Sequence, residues 1–397
     1  MKYILLLLIF SYFSLAAQEE KEECCRLDWS TALPTVSANH PLGIFITQSQ
    51  ANFGAKQNKH GFNVEYSMGN VWLPEVSAYY PTNDADRAEI ERYVWHFRGH
   101  KNLQNPDSIS FQADGVLRTY LFSYDIPFKE GHRLSVNAKV YSLDGGKLPF
   151  STISSDRFIE WFHSNIAGGE DPFARKDYAY DKALIRYRDK DGNQLLLKNG
   201  AVGLASIAFN YQYQLSSAWL NSHAVQLQAN AVLGLNFNSF NRSLDFGVGV
   251  QGMKDFRIFK RSLFRIGASG EATHINSFNS NTKVAITDVS WISQFSFFMG
   301  WEKALKNQNS LSISTLHQIK TSYLNPEAKD YYALDGDSDV SHWHYAMSHL
   351  YNNTFGNSLI VAYRRKAISY NVYLRQDLLI ADNAPDIQTG IGVHFQW

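Results

Sequence analysis

The sequence predicts an all-β fold, a transmembrane antiparallel up-and-down β-barrel of about twelve strands, on three observations. Segments along most of the chain alternate apolar and polar residues with period two, as a strand does between lipid and a polar interior. The connections between these segments alternate short and long. The composition joins 14% aromatic residues to a mean hydropathy of −0.30. Beyond the first residues no apolar run is long enough for a spanning helix, so a helical bundle is excluded.

Residues 1–17 read as a signal peptide. Lys2 supplies its charge, Tyr3 to Leu15 form an apolar run too short to span, and Ser14-Leu15-Ala16-Ala17 offers small residues for cleavage. Residues 18–59 form an N-terminal segment that either waits in the periplasm or inserts as a plug. It opens with Gln18-Glu19-Glu20-Lys21-Glu22-Glu23, and Pro34, Pro41 and Gly43 break any strand register. Cys24 and Cys25 are adjacent and follow two glutamates, which argues against lipidation; a vicinal bridge, an intermolecular bridge and free thiols stay open. The formal net charge is +0, which gives no basis for nucleic-acid binding.

The barrel is predicted over 60–397, beginning with 60–72, where Phe62, Val64, Tyr66 and Met68 oppose Asn63, Glu65 and Ser67. Segment 107–125 alternates least, and its facing is left open. In 130–142, Leu134, Val136, Ala138 and Val140 oppose Arg133, Ser135, Asn137 and Lys139. In 199–215, Ile207, Phe209, Tyr211 and Tyr213 oppose Ser206, Asn210 and Gln212. In 221–237, Leu227, Leu233, Leu235 and Phe237 oppose Gln228, Asn230, Gly234 and Asn236; in 243–254, Phe246, Val248 and Val250 oppose Asp245, Gly247 and Gln251. In 260–275, Phe264, Ile266 and Ala268 oppose Arg265, Ser269 and Glu271. Segments 286–303, 308–320 and 357–365 follow, then 367–379, where Tyr370, Val372 and Leu374 oppose Asn371, Arg375 and Asp377. The last segment, 387–397, alternates Ile391, Val393 and Phe395 with Gly390, Gly392 and His394 and ends on Trp397, a terminal strand suited to the outer-membrane assembly machinery. A soluble sandwich would carry charge on its outer face; here the apolar face is almost free of it, as lipid demands at about 2–4 kcal/mol per midplane charge.

With both termini periplasmic, the short connections 128–131, 216–220, 256–259, 304–307 and 364–366 fall on the periplasmic side. The connections 73–106, 143–198, 238–242, 276–285, 321–356 and 380–385 fall outside, and every long one is among them. In 143–198 a helix over 155–166 starts at Ser155-Asp156-Arg157 and stops at Gly168-Gly169, with Phe158, Ile159, Phe162 and Ile166 on one face. It is placed at the lipid headgroups or over the barrel mouth. A hairpin with an Asp-Gly turn follows over 183–197. These two either close off the loop or serve gating or binding.

The candidate lumen-lining residues are Arg133, Lys139, Arg265, Glu271, Arg364, Arg375 and Asp377, which either pair and plug the interior or line a pore. Asp335, Asp337, Asp339, His342 and His344 form a candidate metal cluster, with calcium at 335–339, although the EF-hand pattern fails at Val340 and Ala346. No other cofactor is expected. His163 and Ser164 invite a lipid-hydrolase reading, but adjacent helical residues point about 100° apart, and a helix C-terminus is the simpler account.

The stretch from Gly115 through Ser154-Ser-Asp-Arg-Phe-Ile-Glu-Trp-Phe-His163 to Arg188-Asp-Lys-Asp-Gly192, with Asp382-Asn-Ala-Pro-Asp386 near the end, resembles an uncharacterised family of Gram-negative outer-membrane barrels. The resemblance implies the barrel and a bacterial outer-membrane location, amid outer-membrane lipid and lipopolysaccharide, and carries over no catalytic residue. The functional expectation is a pore or transporter for small solutes. A lipid-acting hydrolase and a barrel subunit of an envelope complex are the alternatives.

Overall fold

The computed structural model describes residues 31–36, 40–47, 53, 59–80, 85, 107–147, 151, 153–167, 179–238, 240–325, 333–335, 350, 353–376 and 387–397. The predicted signal peptide and Cys24 and Cys25 lie outside these residues. Twelve antiparallel strands close on themselves. They are β1 (Gly61–Tyr80), β2 (Asp107–Lys129), β3 (His132–Asp144), β6 (Val202–Leu215), β7 (Val225–Phe237), β8 (Asn241–Phe259), β9 (Ser262–Thr282), β10 (Trp291–Ala304), β11 (Asn309–Lys320), β13 (Thr354–Arg365), β14 (Ile368–Gln376) and β15 (Ile387–Gln396). Each pairs with its neighbours in chain order, and β15 returns to β1, from Gly61 opposite Gln396 to Gly69 opposite Gln388. The intervening labels belong to a hairpin, β4 (Leu184–Arg188) and β5 (Gln194–Lys198), and to β12 (Ala333–Asp335), which extends the outer end of β1. No helix among the described residues is long and apolar enough to cross a membrane.

The alternation sorts as expected. Phe122, Tyr124, Leu233, Val248, Val372 and Ile391 point outward and stay 39–52% exposed, while their polar neighbours are buried inside. A closed barrel leaves no strand edge and pairs its backbone internally, which lets such a surface sit in hydrocarbon. Aromatic rings gather at both ends: Tyr124, Phe128, Tyr211 and Trp397 near the short turns, Phe237 and Trp291 near the long loops. Several boundaries differ from the sequence reading: β1 runs on to Tyr80 rather than ending near 72, β7 starts at Val225 rather than 221, and β10 starts at Trp291 rather than 286. Residues 256–259 are strand, because β8 pairs with β9 as far as Phe259 opposite Ser262, and β9 runs on to Thr282 rather than ending near 275. The turn between β2 and β3 is Glu130-Gly131, where Gly131 takes the left-handed φ of 74°. Connection 216–224 contains the short helix α1 (Ala218–Ser222), capped by Ser217, whose hydroxyl accepts from the Leu220 amide at 3.2 Å.

The predicted loop helix forms as α2 (Asp156–Phe162), continued by a π-helical turn at His163–Ala167. Ser155 starts it, accepting from the Phe158 amide at 3.3 Å. It lies against the outside wall of the barrel, not across the mouth. Register fixes this: Met68 pairs with Arg118 and Asn70 with Val116, on the same face as Phe62 and Tyr124. Asn70 Nδ2 donates to the Ser154 carbonyl at 2.9 Å and to Asp156 Oδ1 at 2.7 Å. Arg118 contacts Asp144, Ser151 and the Tyr66 hydroxyl beneath the same loop. Trp161 and Ile166 remain outside, more than half exposed.

Candidate channel lumen

Polar side chains line the inside of the barrel from the short-turn end upward, and residues 31–36, 40–47 and Phe53 run among them. Near the short turns, Thr31 Oγ1 donates to Glu302 Oε1 at 2.8 Å and lies 2.9 Å from Ser310 Oγ. Higher, the Thr35 amide donates to Glu65 Oε2 at 2.8 Å. At the long-loop end the segment turns through a single 3-10 turn, Gly43–Phe45, capped by His40 Nδ1, which accepts the Leu42 and Gly43 amides at 3.1 Å. The chain then returns: the Thr47 amide reaches Asp245 Oδ2 at 3.1 Å, and Phe53 stacks on Phe298 at 5.1 Å. An irregular backbone in a closed lumen must find partners for its amides and carbonyls. The wall supplies them with charged side chains, anions for the amides and cations for the carbonyls.

The sequence-predicted residues fall into three groups. Lys139 and Arg265 hold the segment: Lys139 Nζ lies 3.4 Å and 3.5 Å from the Ile44 and Ile46 carbonyls, and Arg265 donates to the Phe53 carbonyl at 2.7 Å. Arg265 is also paired with Asp255 at 2.5 Å. Arg133, Glu271 and Arg375 belong to the wall itself. Arg133 donates to Gln212 Oε1 at 2.8 Å with Asp125 at 3.9 Å. Glu271 flanks Gly249 opposite Asn230, and Arg375 donates to Gln318 Oε1 at 3.1 Å. Arg364 sits apart at a short turn and donates to the Lys366 carbonyl at 2.6 Å. Asp377, Asp337, Asp339, His342 and His344 lie outside the described residues, and Asp335 is described only as backbone opposite Ser77 in β1. Among the described residues no three His, Cys, Asp or Glu side chains gather to hold a metal. The sequence reading left Glu65, Asp245, Glu302 and Lys320 off the lumen list. Their places on the polar face of alternating strands were the signal that could have found them.

Glycines make room for the insert. A Cβ on Gly234 would overlap the Thr47 side chain, and one on Gly267 would come within 2.7 Å of the Phe53 ring. Between the segment and the wall remains a cavity of about 40 Å³ bordered by Leu33, Phe53, Asp125, Asn210 and His394. At roughly 10–15 Å³ of such volume per water, it has room for about three waters.

At the long-loop mouth an apolar cluster joins the wall, the hairpin and Leu42, Ile44 and Phe45 of the segment. Val71, Leu73, Ile109, Phe111, Leu117 and Leu143 point inward there, under Tyr187, Leu195 and Leu197 of the hairpin. The hairpin pairs with β2 through Ser110–Asp114 and turns at Asp191-Gly192 with Gly192 at φ 82°. It then reaches the β9–β10 connection, which leaves the barrel five to six strands away in the ring of twelve. Tyr187 Oη donates to the Ala285 carbonyl at 2.9 Å, and Asp189 Oδ2 accepts the Ala285 amide at 2.9 Å. Thr287 Oγ1 donates to the Tyr323 carbonyl at 2.6 Å. Burial pushes the Tyr187 phenol well above its ordinary value, and nearby Asp189 and Asp288 push it further. Burial does the same to Tyr323, against a smaller opposing pull from Arg375.

No protein-family model and no curated protein matches the chain. Among solved structures, an outer membrane channel from Pseudomonas putida F1 is 10% identical, with a TM-score of 0.36, covering 86% of this chain and 97% of that one. The NanC porin is 8% identical at a TM-score of 0.35, covering 71% and 94%, and the KdgM porin is 8% identical at 0.30, covering 73% and 96%.

Proposed function

We propose that this protein is a gated channel for small solutes in the outer membrane of a Gram-negative bacterium, shut in the described state by its own N-terminal segment, whose Leu42, Ile44 and Phe45 complete the apolar cap under the hairpin. One observation carries the reading. The inner wall is polar and charged, and it grips an insert whose described residues form only the 3-10 turn at Gly43–Phe45 through side chains, at Glu65, Lys139, Asp245, Arg265 and Glu302. A barrel interior of purely structural purpose would fill with its own side chains, as smaller barrels do. Here the filling is a separate stretch of chain that can leave and return. The outer-membrane location is supported by the closed barrel with its apolar outer band and aromatic ends. Export by residues 1–17 and assembly through the Trp397 strand belong to the same proposal.

Planar-bilayer recording tests it. The full chain should stay closed nearly all the time in potassium chloride, and deletion of residues 31–53 should give a steady conductance. A deletion variant that assembles as a barrel yet never conducts refutes the channel.

A further inference from the structure

The upper lumen contains a built site in which the N-terminal segment sits as a ligand would. The Phe45 ring meets Tyr141 edge-on at 5.1 Å and Phe240 at 4.7 Å. Lys139, two residues before Tyr141 on the same inward face and 7% exposed, points its ammonium at the Ile44 and Ile46 carbonyls. Across the barrel Lys320, 5% exposed, donates to the Tyr323 hydroxyl at 3.1 Å and lies 4.7 Å from that ring. Arg375 reaches the same place, donating at 3.1 Å to Gln318 two residues before Lys320 on the same inward face. Asp245, the acid that acts on Lys139, already accepts from the Thr47 amide at 3.1 Å, Asn236 Nδ2 at 2.9 Å and the Asn276 amide at 3.0 Å.

Amide carbonyls bring only partial negative charge to this cluster of buried cations. A carboxylate complements it far better, because charge-assisted hydrogen bonds are roughly twice as strong as neutral ones. The aromatic box lies one strand repeat above, about 7 Å along the wall, the spacing of a short side chain between a ring and an acid.

We propose that this site binds small monocarboxylic acids with an aromatic tail: the ring takes the place of Phe45, the carboxylate takes the place of the Ile44 and Ile46 carbonyls on Lys139, and the segment mimics the cargo from within. Calling this ligand cargo rests on the channel reading; the binding site itself does not.

Calorimetry on the full chain in detergent tests the site, with sodium phenylpropionate, sodium acetate and benzyl alcohol as probes. Phe45→Ala empties the box. It should bind phenylpropionate at least about tenfold more tightly than the wild type, and more tightly than either fragment. Adding Lys139→Gln should weaken that binding by about tenfold, the share expected of a charged hydrogen bond. Equal binding of phenylpropionate and benzyl alcohol, or indifference to Lys139→Gln, overturns the proposal. Should Phe45→Ala not assemble, Phe240→Ala opens the same box from the wall. Recordings of the variant lacking residues 31–53 in potassium chloride, set beside the calorimetry of Phe45→Ala, separate the two readings. Conductance without carboxylate binding overturns the site and leaves the channel. Binding without conductance supports the site and overturns the channel.

Discussion

At the scale of single residues, two positions show how the wall accommodates foreign chain on each of its faces. Gly234 faces inward on β7 between Val232 and Asn236, and the space its missing Cβ leaves is filled by Thr47. Gly234→Val suits a strand but ejects Thr47 and breaks its bond to Asp245. Overpacking of this kind costs about 1–3 kcal/mol, which as a shift between docked and released segment is about five- to 150-fold. Single-channel openings should become correspondingly more frequent; an unchanged frequency in an assembled barrel would mean that Thr47 does not hold the channel shut. On the outer wall, Asp144 faces Arg118, whose side chain is 2% exposed. Asp144→Ala leaves a buried guanidinium without its carboxylate, at a cost of about 3–5 kcal/mol. Urea titration in detergent should show that loss. Replacing the pair together, Arg118→Met with Asp144→Leu, should lose much less, because breaking a buried pair costs more than substituting it. Neither residue stood out in the sequence. An arginine within a barrel strand reads as lumenal, and only the loop folded back over the outside makes an outward one tolerable.

At the scale of elements, the period-two signal was legible wherever a strand separates lipid from lumen, and it faded where a strand separates other things. Segment 107–125 is the clearest case. Its outer half turns Ile109, Phe111 and Ala113 inward against the apolar cap, while outward-facing Asp114 and Arg118 are buried. Apolar-in and polar-out reverses the rule of the membrane zone, so one strand carries two opposite patterns joined end to end. The loop helix and the hairpin were readable from local chemistry, a start at Ser155 and an Asp-Gly turn. Their placement was not, since it depends on contacts such as Asn70 to Asp156 and Tyr187 to Ala285 that no spacing encodes. The N-terminal segment had no readable register because its described residues form no strand: their partners are side chains scattered around the ring. The cap also has a pH limit. Tyr187 and Tyr323 keep their protons in the folded protein above pH 10, where an unfolded tyrosine begins to lose its own. The folded state then binds more protons than the unfolded one, so the cap's stability is complete below about pH 10 and falls as pH rises beyond it. Ultraviolet titration should find Tyr187 and Tyr323 among the phenols that resist ionisation, and Tyr187→Phe should flatten the alkaline loss of stability. A full complement of freely titrating tyrosines in the folded state would contradict the buried cap.

For the molecule as a whole, the barrel and its filling are held by different kinds of interaction, and that difference separates their stabilities. Every barrel strand is laddered to two neighbours, so removing any one requires breaking rows of backbone bonds in a medium that offers no water in exchange. The described part of the N-terminal segment forms no strand pair with the wall. It depends on side-chain bonds to Glu65, Lys139, Asp245, Arg265 and Glu302, on ring contacts of His40, Phe45 and Phe53 and on the fit at Gly234 and Gly267. Proteins open in cooperative units of unequal stability, and weakly laddered elements open first. Urea should therefore release the segment well before it unfolds the barrel. In bilayers, conductance should rise at urea concentrations that leave the barrel's heat-modifiable electrophoretic mobility intact, and it should fall again on washout. In the variant lacking residues 31–53 the same urea should leave the conductance unchanged. If instead conductance appears only together with loss of the folded band, segment and barrel form one cooperative unit. The segment would then be a structural core, and the gate would have to be sought in the hairpin cap alone.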